Sequence, residues 1–181
     1  MTDLSSLPTK ARELIRVVIE TPRGFAAKIA YDPEAQTFQY SRSLPVGTTY
    51  PYDWGFIPST LGADGDPLDG LVIHQAATAP GVVIRCELLG AVSVEQREKD
   101  GKVLRNDRYI LAPHNQDAPS EPISTGGVPE QLRGEIEHFF LAAVLGTDKE
   151  INFRGWQDAA EARLSIAKGM QAFRTKTKKT K

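Results

Sequence analysis

Residues 82–95 read VVIRCELLGAVSVE, a stretch of β-branched and other apolar side chains with few polar interruptions. Such a run predicts a long and largely buried β-strand. Ala79-Pro80-Gly81 precedes it and Asp100-Gly101 follows it, and both are typical turn sequences. The stretch therefore favours a small β-barrel or β-sandwich.

Five other segments between residues 15 and 111 show the same β-branched or alternating pattern. They are Ile15–Glu20, Phe25–Asp32, Thr37–Ser41, Leu71–Gln75 and Val103–Leu111. Helical spacing of apolar residues comes later, first between Pro129 and Gly146 and then from about Gln157 to Phe173. Residues 113–128 are polar and predict a loop. The fold class expected is α+β, mainly β, with two principal helices in the C-terminal part.

The composition suits one compact domain, which we expect over residues 1–173 of the 181-residue chain. No apolar run approaches the roughly 20 residues needed to cross a bilayer, and Met1–Ser5 lacks the features of a secretory signal. We therefore expect a cytoplasmic protein with no membrane partner. Cys86 is the single cysteine, so an internal disulfide or a cysteine-rich zinc site is excluded, and a buried packing role is expected.

The formal net charge of −1 is unevenly distributed. The five basic residues of segment 174–181 contribute +5, so residues 1–173 carry −6. An acidic body argues against nucleic acid as a partner, and the tail offers no aromatic residue on which a base could stack. We expect this basic tail to be solvated and disordered.

The strongest chemical signal is the sequence DGDPLDG, residues 64–70, which stands directly before an apolar strand. Asp64 and Asp66 point to the same side of an extended segment, and Pro67 can turn the chain so that Asp69 rejoins them. Carboxylate oxygens suit Mg²⁺, which binds through few protein groups together with waters and substrate phosphates. The segment therefore indicates a site for phosphoryl transfer.

Other interpretations of this segment exist. An acidic turn capped by its own aspartates is the plain structural alternative. A calcium loop of the EF-hand kind fails because Leu68 and Gln75 stand where oxygen ligands are needed. Neither a phosphate-binding glycine loop nor a His-Glu-x-x-His zinc motif occurs, and the three histidines, at positions 74, 114 and 138, are widely separated.

Several short motifs in order resemble those of the soluble family I inorganic pyrophosphatases. They are Val17–Glu20, Lys28, Arg42, Tyr50-Pro51, Gly55–Pro58 and Asp64–Asp69, within a resemblance that spans about residues 12–173. The resemblance implies an OB-like five-stranded β-barrel with two helices, which agrees with the strand and helix pattern. It also implies hydrolysis of pyrophosphate to two orthophosphates with Mg²⁺ as cofactor.

The resemblance further implies roles for individual side chains. The metal ligands implied are Asp64, Asp66 and Asp69, with Glu20 in the outer carboxylate shell and Asp66 also the base that takes a proton from water. The phosphate-binding groups implied are Lys28, Arg42 and Tyr50. All of them are expected around one pyrophosphate molecule.

The chain departs from the family pattern at several positions. Ala30 stands where the family has an acid, Trp54 stands for a tyrosine, and Gln96 stands for an aspartate. Arg108 replaces a lysine and is expected to bind substrate, as is Trp54 through its N–H. Asp107 is expected as a metal ligand if the strand register shifts by one residue. Ala143 and Val144 replace a Tyr-Lys pair.

Three functions remain open from the sequence. Pyrophosphate hydrolysis, with activity reduced by these replacements, is the first. The second is hydrolysis of another phosphoanhydride, with Trp54 stacking on an organic group, and the third is a weakly catalytic metal- and phosphate-binding homologue. The resemblance also implies a homo-oligomer, with a hexamer favoured, built partly by the helix that carries His138 and Phe139.

Overall fold

The computed structural model describes residues 3–97, 100–114 and 127–179. Within these ranges the chain forms a short 3₁₀ helix at Leu4–Ser6, ten strands and two α-helices. In chain order the strands are β1 (Lys10–Ala11), β2 (Leu14–Thr21), β3 (Ala27–Asp32), β4 (Thr37–Ser43), β5 (Asp53–Ile57), β6 (Leu68–Val72), β7 (Val83–Arg97), β8 (Val103–Arg105), β9 (Arg108–Pro113) and β10 (Glu150–Gln157). The helices are α1 (Glu130–Ala143), before β10, and α2 (Ala159–Lys179), after it.

Five strands close into a ring, which confirms the OB-like barrel. β2 pairs with β5, β5 with β6, β6 in parallel with β9, β9 with β7, and β7 back with β2. β1, β8 and β10 extend this sheet beyond the ring, while β3 and β4 form a separate hairpin. Closure leaves no unpaired edge within the ring, so its backbone hydrogen bonds are satisfied internally.

The strand that decides the fold is β7, which runs from Val83 to Arg97. It is long because different parts of it pair with β2, β9, β8 and β10. Its pairing with β9 shifts register between Leu88 and Gly90, and such irregularities bend a strand as barrel closure requires. The sequence prediction of one long, mostly buried strand is confirmed.

Two apolar clusters hold the helices on the sheet. One joins α1 to the barrel through buried residues that include Ile136, Phe139 and Phe140. The other joins Ala162 and Ile166 of α2 to barrel side chains and includes Cys86, which is fully buried as expected. Alternate residues of the strands supply the two clusters, so the period-2 pattern of the sequence places a helix on each side of the sheet.

Gly55 permits the closest approach of two strands in the barrel. A Cβ atom at this position would lie 1.9 Å from the carbonyl oxygen of Val18 on the paired strand β2. Any side chain there would force the strands apart, so glycine is a steric requirement of this crossing.

Several predicted boundaries were wrong. The expected strand Leu71–Gln75 is displaced to Leu68–Val72, because Asp69 and Gly70 already pair with β5 and β9. The expected strand Val103–Leu111 is divided into β8 and β9. β5 and β10 were not predicted, and most of the expected loop, residues 115–126, lies outside the described residues.

The expectation of a disordered basic tail is wrong for residues 174–179, which form the last turns of α2. Lysine is a good helix former, and basic side chains in the last turn interact favourably with the helix dipole. The Thr175 and Thr177 hydroxyls donate to the carbonyls of Gln171 and Phe173, at 3.0 and 2.9 Å. The tail therefore continues the helix rather than leaving it.

Candidate active site

The acidic segment forms a tight loop between β5 and β6. The Gly62 N–H donates to the Asp66 carbonyl at 2.7 Å, and Gly65 has a φ of +94°, a left-handed conformation that favours glycine. The Asp66 N–H donates to the Asp64 carboxylate at 3.2 Å. The loop is therefore an aspartate-capped turn, and this turn also presents Asp64, Asp66 and Asp69 at the barrel surface.

Two hollows border the loop and divide the predicted site residues between them. The carboxylate hollow, of about 570 Å³, is lined by Glu20, Asp66, Asp69 and Lys28 together with part of α2. The Asp107 hollow, of about 390 Å³, is lined by Asp64 and Asp107 and by another part of α2. The structure thus brings three predicted metal-site carboxylates around one space and places Asp64 on the adjacent one.

Glu20 is the next-to-last residue of β2 and is only 9% exposed. Its carboxylate accepts a hydrogen bond from the Tyr31 N–H at 2.7 Å. Burial raises the pKa of Glu20 to about 7, and repulsion by Asp69 and Asp66 adds to this, whereas the Tyr31 N–H and Lys28 lower the pKa. Glu20 is therefore a carboxyl group held among other carboxylates.

The carboxylates of the loop also repel one another. The pKa of Asp64 is raised mainly by burial, with further contributions from Asp69 and Asp66, while the Asp66 N–H and Arg108 oppose the shift. Within the described residues, no three His, Cys, Asp or Glu side chains converge into a ready-made metal cage. Like charges that share a site without such a cage suit a cation that keeps waters and binds substrate phosphates as additional ligands.

Arg108 links the acidic loop to the aromatic core. It forms an ion pair with Asp69, and its guanidinium lies 5.3 Å from the ring centroid of Trp54 and 5.6 Å from that of Phe140. Arg108 and Asp69 are register partners on the parallel strands β9 and β6, which explains why the side chains meet. The structure therefore places the predicted substrate-binding Arg108 at the metal-site aspartate.

Two buried donors beside this pair lack a protein acceptor. Neither Trp54 Nε1–H nor Arg108 Nε–H donates to a described residue, although both side chains are more than nine-tenths buried. A buried donor without an acceptor costs about 1–3 kcal/mol, so such groups normally meet water or a ligand oxygen. Both groups therefore suit contact with an oxygen atom that the protein itself does not supply.

The structure contradicts the stacking role considered for Trp54. The indole is 4% exposed and is covered by Tyr50, Phe140 and Arg108, with ring centroids 6.2 Å from Tyr50 and 5.6 Å from Phe140. No face of the ring is open to an organic group of a substrate. Only the N–H edge of Trp54 keeps a binding role.

Three predicted phosphate-binding residues lie on neighbouring elements. Lys28 on β3 lines the carboxylate hollow and is the register partner of Arg42 on β4. The Arg42 guanidinium donates to the Ala143 carbonyl at the end of α1, at 2.8 Å. Tyr50 is buried, and burial raises the pKa of its phenol, so its hydroxyl remains a proton donor.

Asp107 is committed to protein partners. Its carboxylate accepts two hydrogen bonds of 3.0 Å from Arg105 Nε and one of 2.8 Å from Arg105 Nη2, and it also accepts from the Gln157 amide at 3.1 Å and the Val94 N–H at 3.2 Å. Its charge is thus already compensated by Arg105. The structure does not bring Asp107 to the ion pair of Asp69 and Arg108, so the expected metal role gains no support.

The residues that replace family positions have other locations and contacts in the structure. Ala30 lines the carboxylate hollow and leaves its wall apolar there, Gln96 is buried, and Ala143 offers its carbonyl to Arg42. Sequence reasoning missed Phe173 and Lys176 of α2, which also line the carboxylate hollow. Phe173 ends the helical spacing of apolar residues, and no apolar residue follows it, so the sequence contains no signal for Lys176.

A five-stranded barrel has three carboxylates and Lys28 around one hollow, and the buried Arg108 pairs with one of these carboxylates. This arrangement is the one expected of enzymes that bind small phosphate anions together with divalent metals. The profile of the family described as inorganic pyrophosphatase matches residues 17–174. The chain therefore belongs to the inorganic pyrophosphatase family, and membership implies dependence on a divalent metal ion.

Individual relatives agree with this assignment. The chain is 41% identical to the inorganic pyrophosphatase of Thermus thermophilus over 170 residues, which cover 90% of this chain and 93% of that protein. It is 36% identical to the Saccharolobus solfataricus inorganic pyrophosphatase, with the same coverage. The crystal structure of the Thermus thermophilus protein superposes with a TM-score of 0.84, covering 96% of this chain and 99% of that one, at 34% identity over the structural alignment.

Proposed function

We propose that the chain hydrolyses inorganic pyrophosphate to two orthophosphates, with Mg²⁺ as the preferred metal. The single observation that carries the proposal is the carboxylate hollow, in which Glu20, Asp66 and Asp69 face Lys28. Carboxylates suit a divalent cation and the ammonium group suits a phosphate, so one space offers both kinds of contact. Family membership supports the reaction.

The donor set fits Mg²⁺ in chemistry, since it consists of oxygen atoms from carboxylates that repel one another. Asp64, Asp66 and Asp69 would hold the metal, and Glu20 would act from the outer shell. Bound Mg²⁺ makes water more acidic and screens the charge of phosphates. Asp107 is left out of this set because Arg105 already neutralises it.

The side chains of the protein have separate tasks. Asp66 borders the hollow and, unlike Asp69, forms no ion pair with a cationic side chain among the described residues, so its carboxylate takes the proton of the attacking water. Lys28 binds phosphate oxygens across the same space, and Arg42 and Tyr50 approach from the α1 side. Trp54 Nε1–H and Arg108 Nε–H each offer a donor to an oxygen beside Asp69.

We also propose a cytoplasmic homo-oligomer, with a hexamer favoured. Within the described residues, no helix has both the length and the apolar character needed to cross a bilayer. The expected interface helix carries His138 and Phe139, and Phe139 is buried inside the chain against Tyr50. The exposed residues at this end of the helix, His138, Leu141 and Leu145, supply the subunit contact, with Leu141 47% and Leu145 66% exposed.

Release of orthophosphate from pyrophosphate tests the proposed reaction. Wild type should turn over in Mg²⁺ and stop in excess chelator, and Asp66→Asn should lose at least about 100-fold in kcat because the base is gone. Asp100→Asn is the matched control, because it is the same substitution made in an exposed turn. Wild-type protein that binds pyrophosphate and metal without turnover would instead favour the non-catalytic homologue.

A further inference from the structure

The last turns of α2 form one wall of the carboxylate hollow. Phe173, Lys176 and Thr177 border this space together with Lys28 and Asp66. Their spacing of three and four residues puts them on the same side of the helix. The extension of the helix beyond residue 173 therefore brings a cationic side chain to the hollow.

The position of this wall is fixed by close packing of α2 on the acidic loop. The Leu61 N–H donates to the Gly169 carbonyl at 3.1 Å. A Cβ atom on Gly169 would lie 2.8 Å from Leu68 Cδ1, so glycine allows the helix and the loop to touch. Lys176 follows two turns later, about 10 Å along the helix axis, and the helix holds its backbone in place.

Lys176 adds a positive charge to a hollow that is bordered mainly by carboxylates. Three carboxylates and Lys28 border the space, and Ala30 contributes no charge to the same wall. A polyanion that enters with its metal ions meets negative side chains on the loop side, and a second ammonium group on the helix side lowers that repulsion. The four-carbon stem of lysine allows its charge to follow the substrate.

We propose that Lys176 binds the phosphate oxygens of the substrate at the open side of the carboxylate hollow. This inference rests on the proposed function for the identity of the anion. Lys176 acts on affinity rather than on bond cleavage, because Asp66 is the proposed base and the exposed ammonium group of Lys176 contributes only its charge. The residue therefore sets how tightly a small polyanion is held, and its effect falls as salt screens exposed charges.

Binding of imidodiphosphate, a non-hydrolysed analogue of pyrophosphate, tests the inference without requiring turnover. Isothermal titration calorimetry in Mg²⁺ compares wild type with Lys176→Gln and with the matched control Lys178→Gln. Both variants remove one charge from the exposed end of the same helix, and Lys178 is not part of the wall of either hollow in the described chain. Lys176→Gln should weaken binding about three- to tenfold, while Lys178→Gln stays within about twofold.

Further measurements distinguish a specific contact of Lys176 with the substrate from a general effect of the positive charge of the helix. Lys176→Arg should keep affinity within about twofold of wild type, and the difference between wild type and Lys176→Gln should shrink in high salt. With pyrophosphate as substrate, Lys176→Gln should raise KM by the same factor and leave kcat within about twofold.

Each result decides the inference. Equal losses for Lys176→Gln and Lys178→Gln, no loss for either, or no binding by wild type would overturn it. If wild type binds the analogue, shows the Lys176 effect and yet hydrolyses no pyrophosphate, the inference stands while the proposed reaction fails. Matching thermal unfolding curves for the variants exclude a folding defect as the cause.

Discussion

Replacement of Arg108 by methionine tests how the ion pair with Asp69 stabilises the protein. The Arg108 side chain is 7% exposed and that of Asp69 is 22% exposed, so the pair is largely removed from water. Breaking a buried pair by removing one partner costs about 3–5 kcal/mol, because the other charge stays buried. Partial exposure of Asp69 reduces this, while the lost contacts with Trp54 and Phe140 add about 0.5–1 kcal/mol each.

We therefore expect Arg108→Met to lower the free energy of unfolding by about 3 kcal/mol in chelator. Urea denaturation followed by far-UV circular dichroism measures this change. Arg108→Lys keeps the charge and should cost about 1 kcal/mol, since only the planar contacts with the rings are lost. Mg²⁺ should restore part of the stability of Arg108→Met, because a divalent cation at Asp69 replaces the missing positive charge.

A double-mutant cycle with Asp69→Asn isolates the pair from other effects. The coupling energy between Arg108→Met and Asp69→Asn should be about 2 kcal/mol. Additive losses, with a coupling energy below about 0.5 kcal/mol, would refute the argument that the two charges depend on each other.

Three other perturbations have clear expected outcomes. Gly55→Ala should lower the unfolding temperature by more than about 10 °C or prevent folding, because its Cβ would overlap the Val18 carbonyl, and a shift under about 2 °C would contradict the contact. Burial raises the pKa of Cys86, so iodoacetamide at pH 8 should label the native protein far more slowly than the urea-unfolded protein, and equal rates would disprove burial. Asp107→Asn should cost about 1–2 kcal/mol of stability by releasing Arg105, with Mg²⁺ affinity unchanged within about twofold, and a large loss of affinity in calorimetry would return Asp107 to the metal site.

The sequence predicted those strands and helices whose own residues show a clear apolar pattern. The long strand β7 carries enough β-branched and apolar residues to be recognised alone, and α1 shows its apolar stripe between Pro129 and Gly146. β10 was missed because its alternating sequence EINFRGWQ is short and is interrupted by Gly155, where the register with β7 shifts. Its strand conformation depends on the edge of β7, which no local pattern reveals.

The same division applies to the site. Asp64, Asp66 and Asp69 lie on one short loop, so the sequence could indicate an acidic site there. The contact of Asp107 with Gln157 could not be predicted, because it depends on how β7 pairs with both β9 and β10. Strand register is set by packing between distant segments, and a shift of one residue reverses every side chain.

The position of Lys176 was hidden for a different reason. A run of alternating lysines and threonines is typical of a solvated tail. Here the preceding helix is anchored on the acidic loop, and α2 continues through the lysine and threonine run to Lys179. Helix formation is cooperative, so residues added to an anchored helix need little stabilisation of their own. Composition alone therefore gave the wrong conformation for the segment that borders the hollow.

A crystal structure with Mn²⁺ and imidodiphosphate tests the central claim most directly, because anomalous scattering locates the metal independently of the surrounding oxygens. We predict manganese peaks within about 2.2 Å of carboxylate oxygens of Asp66 and Asp69, with the analogue between them and Lys28. Peaks confined to other parts of the protein, or an analogue bound away from the carboxylate hollow, would contradict this account.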